Sequence, residues 1–143
     1  MRCANVPSEA TRGGSGADFL DTEQDMGRLT THVLDTASGK PAAGLLVELV
    51  CVAEDGERIQ IVETTTNSDG RTDKPLLDVD QFKTGTYELS FHVAPYFKSY
   101  LQDSEEPPFL DVVNIRFTIA HEDQHYHVPL LTSPWSYSTY RGS

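Results

Sequence analysis

Apolar and polar residues alternate along most of this chain in runs too short for helices and well suited to strands. Leu29-Thr30-Thr31-His32-Val33-Leu34 is rich in β-branched residues and stops at Asp35, ahead of the turn-like Ser38-Gly39-Lys40-Pro41. A second strand, about residues 45–53, and a third, about 58–65, are predicted to form a hairpin across Glu54-Asp55-Gly56-Glu57, because Asp-Gly suits a tight β-turn. Asn67-Ser68-Asp69-Gly70 marks another turn, followed by Arg71. Tyr87, Leu89, Phe91 and Val93 alternate with Glu88, Ser90 and His92, as in a half-buried strand. Tyr96, Phe97 and Tyr100 fall at helical spacing and predict a short helix over about 94–101. A loop follows to 108. Val113, Ile115, Phe117 and Ile119 then define a late strand, and His125-Tyr126-His127-Val128-Pro129-Leu130 another, before a Ser/Tyr-rich tail. Seven or eight short strands with one short helix predict an all-β fold, a β-sandwich.

Residues 1–25 differ from the rest: Arg12-Gly13-Gly14-Ser15-Gly16 and Glu23-Gln24-Asp25 carry no apolar period. They are expected to be a disordered extension, with residues 26–143 the folded domain and Met26 a candidate natural start. At 143 residues the chain has room for one domain. The 11 basic residues against 22 acidic ones leave a net charge of −11, and no basic stripe offers itself to nucleic acid or to an acidic membrane. No apolar run approaches a membrane span, and residues 1–25 lack the continuous apolar stretch of a secretory signal, so the cytoplasm is the expected compartment. Cys3 lies in the polar leader, while Cys51 ends an apolar strand pattern. No disulfide is expected between them, and Cys51 is read as a small buried hydrophobe in a reducing compartment.

Strand alternation separates the histidines from the core. Thr31 and Val33 share one face and His32 the other; Tyr126, Val128 and Leu130 share one face, and His125, His127 and Pro129 the other. Exposed imidazoles on a wet sheet would give this pattern, but two of them can also serve as base and acid in a hydrolysis. Arg71, just past a glycine turn, is either a solvated loop residue or a holder of anionic substrate and developing charge. The spacing His125-x-His127, with His32, leaves a zinc site open, although a carboxylate or fourth ligand is not evident. A Gly-x-Ser-x-Gly elbow, a P-loop and a dinucleotide glycine fingerprint are all absent from the sequence.

Leu29-Thr30-Thr31-His32-Val33-Leu34-Asp35-Thr36-Ala37 with Gly39-Lys40-Pro41-Ala42, and His125-Tyr126-His127-Val128-Pro129-Leu130-Leu131 with Ser133-Pro134-Trp135-Ser136-Tyr137-Ser138-Thr139-Tyr140-Arg141-Gly142-Ser143, resemble the opening and closing signatures of the 5-hydroxyisourate hydrolases of the transthyretin-like family. Asp69-Gly70-Arg71 matches between them, and the resemblance runs from about Met26 to Ser143. It implies a transthyretin-like β-sandwich, a homotetramer built as a dimer of dimers, and sites in a channel between the dimers. The implied reaction opens the ring of 5-hydroxyisourate to 2-oxo-4-hydroxy-4-carboxy-5-ureidoimidazoline, in urate degradation, with no cofactor and no metal. The family's functional residues fall on His32, Arg71, His127 and Ser143, with Arg71, Tyr140 and Arg141 at the substrate. One histidine would activate water and the other return a proton, in either order. The peroxisome is the alternative compartment, though no Ser-Lys-Leu motif closes the sequence. The rival is a transthyretin-type carrier of hydrophobic hormone, which would gain nothing from two imidazoles and an arginine.

Overall fold

A computed structural model describes residues 27–101 and 105–143; the leader and Met26 lie outside the described residues. Among the described residues, ten strands and one helix follow in order: β1 (Arg28–Thr30), β2 (Val33–Asp35), β3 (Lys40–Pro41), β4 (Leu46–Val52), β5 (Arg58–Thr65), β6 (Gly85–His92), α1 (Val93–Tyr100), β7 (Val112–Ile119), β8 (His125–His127), β9 (Leu130–Thr132) and β10 (Tyr137–Thr139). The all-β architecture with one short helix agrees with the alternation of the sequence. Ten strands stand against the expected seven or eight: the six strands named from the sequence become eight because two are interrupted, and two further segments, β3 and β10, also pair.

One sheet is regular. Its order is β5-β4-β6-β7, antiparallel throughout, with the β4–β5 hairpin closing at the expected Asp55-Gly56 turn, where Gly56 has φ +91°. A single irregularity falls between Leu49 and Val50. Alternation places Tyr87, Leu89 and Phe91 inward, all fully buried, opposite Val47, Leu49 and Cys51 of β4. The outward face is polar: Glu88 pairs with Arg58 and lies 3.9 Å from Arg116, and His92 Nε2 meets Glu48 Oε1 at 2.9 Å. Cys51 is buried as expected, but it is disulfide-bonded, which corrects the expectation of an unpaired thiol.

The second layer is assembled from short pieces. β1 pairs in parallel with β8, and β2 in parallel with β9, while β10-β9-β2-β3 forms a four-stranded sheet. The two parallel pairings continue one another through Val128 N to Thr30 O and Leu130 N to His32 O, both 2.9 Å. Pro129 has no N–H to donate between them, which is where β8 gives way to β9. It is buried, not turned outward with the histidines as alternation alone predicts. Leu29, Thr31, Val33 and Asp35 face the core. A buried carboxylate needs partners, and Asp35 has three: the backbone N–H groups of Ala37 at 2.9 Å and Ser38 at 3.1 Å, and the hydroxyl of Tyr96 at 2.8 Å. Tyr96 belongs to α1, so this carboxylate ties the second layer to the helix. Val93 and Phe97 of α1 are fully buried against the first sheet's core.

Candidate active site

The strand carrying Thr30 and His32 has β8 and β9 on one side and the 70–77 segment on the other. Gly70 makes that second side possible. It has φ +78°, and a Cβ there would sit 2.4 Å from the Val33 carbonyl, which itself accepts from Ala42 N. Val33 N donates to Gly70 O at 2.8 Å, so Arg71 falls directly opposite His32 in an antiparallel bridge. The side chain of Asn67 braces the turn by accepting from the N–H groups of Asp69 and Arg71.

The chain end is the third wall. His127 N donates to Gly142 O at 3.1 Å and Gly142 N to His127 O, a two-bond bridge that lays the last residues along β8. A Cβ on Gly142 would stand 3.3 Å from the His127 side chain, so the glycine allows a close backbone approach. Between these walls is an open hollow of about 390 Å³ lined by Arg28, Thr30, Arg71, Lys74, His125, His127 and Ser143, with Thr31, Thr72, Asp73 and Pro75. Three cations converge there on a chain of net charge −11. Asp73 is engaged by Asn67 Nδ2 at 2.9 Å, and among the described residues neither Arg28 nor Arg71 enters an ion pair. An anionic or strongly polarised ligand suits such a hollow.

Burial lowers the pKa of His127 below the usual imidazole value, and Arg71, His125 and His32 add to the shift. His125 shifts the same way, first through burial, then through Arg28 and Arg141. Both rings therefore favour the neutral form, the form a general base needs. Their inner nitrogens share one hydroxyl: Thr30 Oγ1 lies 2.9 Å from His125 Nε2 and 2.8 Å from His127 Nδ1.

Of the residues expected from sequence, the fold brings Arg71, His127 and Ser143 to one hollow. His32 neighbours Arg71 through the backbone bridge, but its ring points at the turn, where Nε2 donates to Asp69 O at 2.9 Å. Arg141 lies elsewhere, with its guanidinium 4.1 Å above the Tyr126 ring and a hydrogen bond to Gln124 Oε1 at 2.9 Å. Tyr140 is exposed. The strand pattern missed Thr30 and Arg28 as site residues and raised His125 only as a zinc ligand, although the parity that selects His32 also selects Thr30. Among the described residues, no three His, Cys, Asp or Glu side chains gather as a metal site, so the zinc alternative finds no ligand set there. No described helix is long and apolar enough to cross a membrane.

A two-layer β-fold whose cationic, histidine-lined hollow is closed by the returning chain end is a transthyretin-like domain, and the chain belongs to the HIUase/Transthyretin family, whose model matches residues 29–142. Within that family it is 61% identical over 115 residues to the 5-hydroxyisourate hydrolase of Deinococcus radiodurans, covering 80% of this chain and 95% of that one. Among solved structures it is similar to (S)-allantoin synthase, with TM-score 0.76 and 44% identity over 84% of this chain, although it spans only 45% of that longer chain. It is also similar to sea bream transthyretin in complex with thyroxine, with TM-score 0.71 and 31% identity, covering 80% of this chain and 94% of that one.

Proposed function

We propose that this chain hydrolyses 5-hydroxyisourate to 2-oxo-4-hydroxy-4-carboxy-5-ureidoimidazoline, and that the hollow beside Arg71, His127 and Ser143 is where it does so. The convergence of those three residues on one cationic hollow carries the reading. The 61% identity to a protein named for that activity supports it. In the proposed step the oxygen of water bonds to a ring carbonyl carbon, the ring C–N bond breaks, and the ring nitrogen takes a proton. His127 is the base, because its ring lines the hollow and its Nε2 has no hydrogen-bond partner among the described residues. Arg71 binds the substrate and neutralises charge that develops on the carbonyl oxygen, and the Ser143 hydroxyl orients it. His32, across the bridge from Arg71, returns the proton, with Tyr140 at the substrate end. No cofactor or metal enters the proposed step.

The working form in this proposal is a homotetramer, a dimer of dimers, in the cytoplasm. Edge strand β10 and the exposed Phe109 and Trp135 support association, since unpaired strand edges and exposed aromatic rings gain from being covered. An ultraviolet time course on freshly generated 5-hydroxyisourate tests the activity. Acceleration above spontaneous decay is expected. Decay at the uncatalysed rate with folded protein, whose tetrameric mass light scattering reports, would sink the assignment. Tight binding of an iodinated phenol without turnover would favour the carrier reading instead.

A further inference from the structure

Thr30 has one hydroxyl proton and two imidazole neighbours. It sits in parallel register with His127, and His125 lies two residues back on the same face, so both rings reach the same oxygen from one side. Among the described residues Oγ1 has no third partner. A hydroxyl can donate once, so the arrangement that uses both bonds has one ring nitrogen giving a proton to the oxygen and the other receiving one. The two contacts involve different ring atoms, Nδ1 of His127 and Nε2 of His125. If His127 Nδ1–H donates, the hydroxyl turns toward His125 Nε2 and that ring keeps its proton on Nδ1. If His125 Nε2–H donates, both rings are instead protonated at Nε2. The shared hydroxyl thus locks the two rings into one common tautomer.

We propose that Thr30 is a positioning residue for the hydrolysis: by bridging His125 and His127 it holds both rings as Nδ1–H tautomers and keeps Nε2 of His127 bare for the attacking water. The inference rests on His127 as base, since only the bare nitrogen can take the proton of water. His125 enters the reaction only through the hydroxyl. A threonine suits the post because its branched Cβ favours a strand and limits χ1, which fixes where the hydroxyl points. Partners that orient an imidazole at metal sites typically matter by about 10- to 100-fold, and a comparable loss of kcat is expected here.

Three forms test it: the native chain, Thr30→Val, which keeps the shape without the hydroxyl, and Thr30→Ser, which restores it. Nitrogen-15 NMR of the imidazoles at neutral pH should show Nδ1–H for both His125 and His127 in the native protein and in Thr30→Ser. In Thr30→Val the two rings should no longer share that state. Thr30→Val should lower kcat about 10- to 100-fold with KM within about twofold, and Thr30→Ser should recover most of it. The acid limb of the kcat/KM profile should move to lower pH in Thr30→Val, because Nδ1–H bonded to oxygen favours the imidazolium. Native rings protonated at Nε2, or a Thr30→Val enzyme with native kcat and pH profile, would overturn the proposal. The NMR of the native protein needs neither a variant nor turnover. Absence of hydrolysis would therefore remove the role of His127 while the tautomer lock is still decided by the spectra.

Discussion

The two layers of this sandwich solve different problems. The β5-β4-β6-β7 sheet has strands of seven or eight residues, a hairpin, alternation along most of each strand and a single irregularity of register. The opposite layer is made of strands of two or three residues, two of its four pairings run parallel between segments distant in the chain, and it is interrupted at His32 and at Pro129. The regular sheet contributes Tyr87, Leu89 and Phe91 to the core, and its ionisable groups face solvent in pairs. The broken layer contributes the hollow, because interruption lets Arg71 and Gly142 reach the strands from the sides. Stability and chemistry are thus allotted to opposite faces of one core.

The sharpest way to break that division is to cut each layer once. Replacing Arg71 or His127 with alanine should lower turnover by about 10²–10⁴-fold, the usual worth of a positioned acid–base or charge-stabilising group. Neither side chain is in the core, so the thermal midpoint should hardly move. Leu89→Ala in the regular sheet should do the reverse. It removes a fully buried side chain and should cost about 2–5 kcal/mol of stability, while kcat of the protein that remains folded stays near native. Parallel denaturant melts and rate measurements decide it. Lost folding in Arg71→Ala, or lost kcat in folded Leu89→Ala, would show that the two layers do not divide the work.

Gly70→Ala probes the seam between them. A left-handed φ costs a non-glycine residue roughly 1–2 kcal/mol, and the added Cβ would also press on the Val33 carbonyl at 2.4 Å. Both stability and turnover should fall together, because the same bridge that closes the sheet aims Arg71. A variant that lost stability alone would separate the turn from the site.

How much of this was legible differs between the layers for the same reason. Period-two alternation is a local signal, and it located β4, β5, β6 and β7, the Asp55-Gly56 turn, and the outward face of His32 and His127. It carries no information about which strands meet. The pairing of Thr30 with His127 joins residues 97 apart, so the shared hydroxyl was invisible from either segment alone. Asp35 read as the end of a strand ahead of a turn, and it is, but that its buried carboxylate also accepts from Tyr96, 61 residues on, no local pattern shows. Arg141 and Tyr126 both stand in the closing signature, but the stacking of one on the other is a contact that no strand pattern predicts. The resemblance to a family supplied the grouping of His32, Arg71, His127 and Ser143 that no local pattern supplies.

The smallest expected effect tests what the hollow costs the fold. Burial and neighbouring cations lower the pKa of His125 and His127 in the folded chain, whereas in the unfolded chain each titrates near the ordinary value of about 6.5. Below that value the unfolded chain binds more protons than the folded one, so acid favours unfolding. The contribution of the two neutral rings is fully present above about pH 6.5 and is lost as pH falls through their lowered folded values. Both rings are partly open to solvent, which keeps the effect modest. The thermal midpoint of the native chain should therefore decline between about pH 6.5 and pH 5, ahead of general carboxylate protonation. In a His125→Gln/His127→Gln double variant, which carries no titrating ring at either site, that decline should flatten, with the two curves drawing apart as pH falls. Parallel curves over this window would mean that placing two imidazoles among Arg28, Arg71 and Arg141 leaves no mark on folding. The broken layer would then hold its cationic hollow as freely as the regular sheet holds its solvated ion pairs, and the contrast between them would rest on connectivity alone.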